Sequence, residues 1–222
     1  MSFGRELEPT RRFDRRDAGL RGRLRHAVAN VHQRMHAHPG LAAAAMGTIL
    51  LPDYRLLLMR IYGFHLPLES RMIEEAAALH LTINVKERAR WPALVEDLVA
   101  LGVDPSAISA LPVWTHGPRL ADRGSLLGAL YVLEGSAMGG AQIARGLASV
   151  LGIPDDGRRR FFSGHGNHRG AMWRSLLGEL ETITDDDEAD LAIRAAIRIF
   201  EGFEAWMEGW KGKPPGLAAP SP

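Results

Sequence analysis

The sequence predicts an all-α fold, a single-domain bundle of about seven or eight helices. Three observations carry this. Nearly every apolar pattern in the 222 residues recurs with helical period. No segment alternates apolar and polar residues as a half-buried strand does, and no hairpin turn signal occurs. Only Leu81 to Val85 has strand character, and it is short and alone. No internal repeat is present. The organisation expected is a charged leader over 1–16, a helical domain over 17–210 and a Pro- and Gly-rich tail over 211–222.

The elements follow in order. Asp17 is a candidate cap for a helix whose stripe is Leu20, Leu24, Val28, Val31 and Met35, and Pro39-Gly40 is expected to end it. A second long helix starts near Pro52-Asp53. It carries Tyr54, Leu57, Leu58, Ile61, Phe64, Leu68, Met72, Ala76 and Leu79 at helical spacing. Pro67 lies inside that run and should kink it, since it removes an amide donor and crowds the preceding turn. Trp91 to Leu101 reads as a third helix with Leu94, Leu98 and Leu101 inward, stopped by Gly102. Asp104-Pro105 opens a short turn of helix, and Leu111 to Arg123 reads as a connection.

A long helical run covers about Ser125 to Leu151. Phe161 to Ile183 is a loop followed by a helix with Met172, Leu176 and Leu180 inward. Thr184 is the expected cap of the last helix, with Asp185, Asp186, Asp187 and Glu188 facing its positive end. A divalent-cation site is the other use of that acidic run. The last helix runs to about Trp210, with Ile193, Ile197, Phe200, Phe203 and Met207 on one face.

Composition narrows the chemistry. With 27 basic and 26 acidic side chains, the formal net charge is +1. That argues against nucleic acid or a membrane surface as partner. Zero cysteine removes disulfides, thiolate metal sites, iron–sulfur clusters, thiol catalysis and covalent c-type haem. No apolar run approaches the roughly 20 residues of a membrane helix. The charged start is no secretory signal, so a cytoplasmic protein is expected. No phosphate loop, dinucleotide fingerprint, HExxH motif, Glu-x-x-His motif or GxSxG elbow is present.

Two features stand out. Gly135, Gly139 and Gly140 interrupt an otherwise strong helix, LYVLEGSAMGGAQIARGL, and each costs about 1 kcal/mol against alanine. Gly135 and Gly139 share a face. Either another helix packs closely there, or a flat ligand lies on the bare backbone. His32 is the second feature, on the edge of the first helix's apolar stripe, with His36 four residues on. It is a core histidine or a ligand for iron, zinc or copper. A purely protein-bound metal centre is short of ligands. A metal that brings its own is not, and haem needs only one or two axial groups. His65, near Pro67, is a candidate for burial, whereas most other histidines lie in polar contexts.

Three segments together resemble the bacterial haem oxygenases, in particular the branch associated with bacteriophytochromes. They are Leu24-Arg25 through Val31-His32-Gln33-Arg34-Met35, LPDYRLLLMRIYGFHLPLE at 51–69, and GALYVLEGSAMGG at 128–140. Weaker matches occur at 94–102 and 161–181, so the likeness spans about residues 20 to 205. The resemblance implies that His32 is the proximal ligand of haem b, which serves as both substrate and cofactor. Gly135 and Gly139, followed by Gly140, would approach its distal face. Arg25 and Arg174 would meet the propionates. The activity implied is opening of haem to biliverdin with release of iron and carbon monoxide, and the biliverdin could supply a phytochrome chromophore. It would need molecular oxygen and an external electron donor, a reductase or ferredoxin.

The chain departs from the family pattern at three places. Val28 stands for the usual threonine. Ser136, counted with Gly135 and Gly139 as catalytic, stands where animal relatives carry an aspartate. His36 follows where relatives often carry an acid. The rivals are a haem-storing or haem-sensing protein, and a thiaminase-like or quinone-cofactor-synthesis enzyme of the same fold.

Overall fold

The structure is a computed structural model and describes residues 19–79, 81–150 and 159–212. The expected leader at 1–16, the cap Asp17 and tail residues 213–222 lie outside the described residues. Nine α-helical segments are described: α1 (Leu20–His36), α2 (Pro39–Met46), α3 (Leu51–Ala76), α4 (Trp91–Ala100), α5 (Pro105–Ser109), α6 (Arg123–Val150), α7 (Arg160–Ser163), α8 (Arg169–Glu181) and α9 (Asp186–Met207). Seven of them have eight residues or more. Leu81 to Val85 forms no strand.

All five residues of the α1 stripe are buried. Pro39-Gly40 does not simply stop the chain there. α1 ends at His36, and Pro39 opens α2. Proline at the first helical position lacks only an amide that would be unpaired anyway. The His38 ring caps the new helix by accepting from Leu41 N. Gly47, at φ 68°, ends it.

Pro67 sits inside α3 without ending it. A proline there deprives the carbonyl four residues earlier, Gly63, of its donor. The amide of Trp114, from the segment joining α5 to α6, bonds Gly63 O at 2.8 Å instead. A side chain at 63 would strike the Pro112 carbonyl, so glycine is what admits this segment. Trp114 then stacks on Phe64 with ring centroids 4.4 Å apart.

The α6–α9 pair is the centre of the fold. A Cβ on Gly128 would stand 2.7 Å from the Ala192 carbonyl carbon. The tightest part of α9 is therefore Ala192, Ala195, Ala196 and Ile199, all buried. The larger Ile193 and Ile197, expected to lead the inward face, are only half-buried at its margin. The cap of α9 is Asp185, not Thr184, with its carboxylate accepting from Glu188 N at 2.8 Å. Two further members of the acidic run pair with arginines, Asp186 with Arg23 at 2.9 Å and Glu188 with Arg123 at 2.9 Å, and Asp190 one turn on pairs with Arg23 at 2.7 Å. The run is thus occupied as a helix start. Among the described residues no helix is long and apolar enough to cross a membrane.

α1 and α6 are bridged by α9 on one side and α2 on the other. Between them the bundle leaves a cavity.

Candidate active site

The cavity measures about 370 Å³, within the range of small-molecule sites. α1 contributes His32, Met35 and His36. α6 contributes Gly135, Ser136, Gly139 and Gly140. Phe161, Phe162, Phe200 and Phe203 supply aromatic walls, and His65 and Arg90 complete the border.

The three glycines of α6 divide between the two uses. A Cβ on Gly140 would come within 2.8 Å of the Phe162 carbonyl, so this glycine lets α7 pack on the helix. A Cβ on Gly139 would meet nothing within 4 Å, and one on Gly135 would only touch Trp173 at 3.8 Å. No neighbouring helix requires glycine at either place. Their bare backbone faces the cavity.

His32 stands on the α1 wall. It is exposed. Its ring lies edge-on to His36 at 4.5 Å and to Phe200 at 5.9 Å. Partial burial of its ring lowers its pKa, and the neighbouring His36 lowers it further, which favours the neutral imidazole at pH 7. A neutral imidazole has a free nitrogen lone pair for a metal. His32 makes no hydrogen bond among the described residues.

Arg25 and Arg174 do not border the cavity. Both are exposed, and neither forms a hydrogen bond or ion pair among the described residues. They flank one aromatic pair: the charge of Arg25 reaches Tyr131, and Tyr131 packs against Trp173 at 5.5 Å, next to Arg174. Two unneutralised guanidiniums near one aromatic pair are of a kind that pairs with carboxylates.

His65 is buried as expected, but sequence reasoning missed the polar wall it forms with Glu69 and Arg90. Glu69 is 3% exposed and His65 4%. His65 Nδ1 lies 2.7 Å from Glu69 Oε1. Glu69 Oε2 accepts from the amides of Arg90 at 2.7 Å and Trp91 at 2.9 Å. The Arg90 guanidinium donates to Leu133 O and to Ser136 Oγ, both at 2.9 Å, and lies over Phe161. The Ser136 hydroxyl itself donates to Leu133 O at 2.7 Å. Burial would raise the Glu69 pKa, but the His65 bond, the Arg90 charge and the backbone amide outweigh it and hold the carboxyl low. Burial lowers the His65 pKa against the opposing pull of Glu69. The spacing of His65 and Glu69 on one helix face was the one available signal.

A histidine on α1 and bare helix backbone on α6 thus border one largely apolar cavity. The Heme oxygenase family model matches residues 18–209, and the chain belongs to that family. Its fold is similar to three solved bacterial structures, each with a TM-score of 0.67. The heme oxygenase of Leptospira interrogans is 17% identical, covering 86% of this chain and 98% of its own. Heme oxygenase-1 of the cyanobacterium Synechocystis, solved with heme, is 16% identical, covering 87% and 93%. The NO- and CO-bound heme oxygenase of Neisseria meningitidis is 19% identical, covering 92% and 98%. No curated protein matches the sequence.

Proposed function

We propose that the protein is a haem oxygenase that opens haem to biliverdin and releases iron and carbon monoxide. One observation carries this reading. The cavity sets a neutral His32 on α1 against Gly135 and Gly139 on α6, and a Cβ at Gly139 would meet only open space.

Haem, as substrate and cofactor together, supplies the iron and the ring on which dioxygen reacts. His32 would hold the haem iron through a ring nitrogen. The bare backbone at Gly135 and Gly139 would leave that wall of the cavity open to the haem and to oxygen. Gly140 fixes the spacing of that wall against α7. Arg25 and Arg174 take the propionates. Ser136, its proton committed to Leu133 O, accepts hydrogen bonds at the rim of the glycine wall. Electrons come from an external reductase or ferredoxin, and the biliverdin is available as a phytochrome chromophore.

The test is to add haemin to purified protein, record the Soret band, and supply a reductant in air. Biliverdin absorbance with carbon monoxide release supports the reading. A stable haem complex that is never converted identifies a storage or sensing protein instead. Absence of stoichiometric haem binding overturns both.

A further inference from the structure

Protonation needs a group on the cavity wall that can carry a proton. Of the described residues bordering the cavity, His32, His36, His65 and Arg90 are titratable. His32 is taken by its proposed ligand role, and His36 stands beside it on α1. Arginine does not deprotonate in proteins. Ser136, where relatives have an acid, has only one hydroxyl proton, which goes to Leu133 O. The remaining group is His65.

We propose that His65, oriented by Glu69, is the proton carrier for the oxygen chemistry in this cavity, an assignment that rests on the haem oxygenase reading above. Glu69 can only accept from His65, so Nδ1 carries the hydrogen and Nε2 presents a lone pair. Carboxylate, imidazole and an open second nitrogen form the arrangement that makes histidine an efficient acid and base. Arg90 connects this pair to the glycine wall. Its amide holds Glu69 Oε2, and its guanidinium holds Ser136 on α6.

The groups that act electrostatically on His65 are Glu69 from its own helix and Arg90 from the start of α4; His165, beside the α7–α8 connection, interacts with both partners. Glu69 and Arg90 also border a second, largely apolar cavity of about 20 Å³, together with Glu134 and His165. It has room for about one water.

Protons leave His65 through water in the site and are replaced from solvent. The external reductant supplies a matching number of electrons, and oxygen is the group reduced. The only protein bond that breaks and re-forms is the Nε2–H bond of His65. At rest His65 is neutral and accepts from water. Once protonated, its lowered pKa makes it a ready acid.

Two measurements test this. In haem-free protein labelled with ¹⁵N-histidine, long-range ¹H–¹⁵N spectra at pH 7 should show His65 as the neutral Nδ1–H tautomer. In Glu69→Gln that preference should weaken. An Nε2–H tautomer or a protonated His65 in the wild type overturns the proposal, whether or not the variant folds.

In the haem complex, His65→Phe should keep the histidine-ligated Soret band and bind haemin as wild type does. Its turnover should fall about 100-fold, and the wild-type pH dependence of the ferric spectrum should move. His65→Gln, which still accepts from water, should restore the spectrum's pH dependence in part but not the turnover. Wild-type turnover and an unchanged pH profile in His65→Phe overturn the proposal. If the wild type fails to bind haemin, the functional reading fails instead, and the haem-free spectra still report on the pair.

Discussion

Alanine placed at three glycines of α6 separates packing from ligand access. At Gly128 the new methyl would lie 2.7 Å from the Ala192 carbonyl carbon. At Gly140 it would lie 2.8 Å from the Phe162 oxygen, and at Gly139 it would meet nothing within 4 Å. Each change gains about 0.8–1.0 kcal/mol of helix propensity. Overpacking into a backbone costs about 1–3 kcal/mol, and more where nothing can yield. Gly128→Ala should therefore lose about 2 kcal/mol or more, and Gly140→Ala between about 0 and 2. Gly139→Ala should gain up to about 1 kcal/mol.

In a chain of this size 1 kcal/mol moves Tm by about 2–4 °C. Thermal unfolding of the haem-free protein, followed by circular dichroism and tryptophan fluorescence together, gives the order. Haemin titration of the same proteins gives the second axis. Gly139→Ala should melt above wild type yet hold haemin more weakly, because the methyl stands on the ligand's face. A Gly139→Ala protein that melts as low as Gly140→Ala would refute the open backbone at that position.

The remaining predictions concern charge. Arg25→Ala and Arg174→Ala should each weaken haemin binding by up to about fivefold, with the loss shrinking as salt rises and the haem-free Tm unchanged. Haemin affinity measured at low and high salt checks this. Asp97, 0% exposed, accepts from the amides of Arg160 at 2.8 Å and Phe161 at 3.0 Å, anchoring α7. Burial nevertheless raises its pKa from 3.8 to about 6. Its folded value exceeds its unfolded one, so its contribution is complete below about 3.8 and is lost as pH rises through about 6. The stability of the wild type relative to Asp97→Asn should fall by about 3 kcal/mol across that window, read as urea midpoints at each pH. A constant difference would contradict the buried carboxylate.

Much of this was legible because helical period marks helices strongly. The α1 stripe, the long α6 and the bare glycines stood out in the sequence. The misreadings have local causes. Pro39 serves equally as a stop and as a first helical residue, and only the His38 cap decides which. On α9, large apolar residues drew the eye, while the closest contact belongs to Ala192 against Gly128. Pro67 announced a defect in α3, but its remedy, the Trp114 amide, comes from a segment 47 residues away. The wall made by His65, Glu69 and Arg90 was hidden for the same reason. Arg90 joins it through its backbone amide, and its guanidinium reaches Ser136 on another helix.

The central claim is that His32 holds a haem against the glycine face of α6. Haemin titration of the wild type, His32→Ala and His36→Ala, followed at the Soret band, tests it most directly. The wild type and His36→Ala should saturate at one equivalent with a histidine-ligated spectrum. His32→Ala should lose that spectrum and regain it when free imidazole is added. A His32→Ala protein that retains the wild-type spectrum would contradict the assignment.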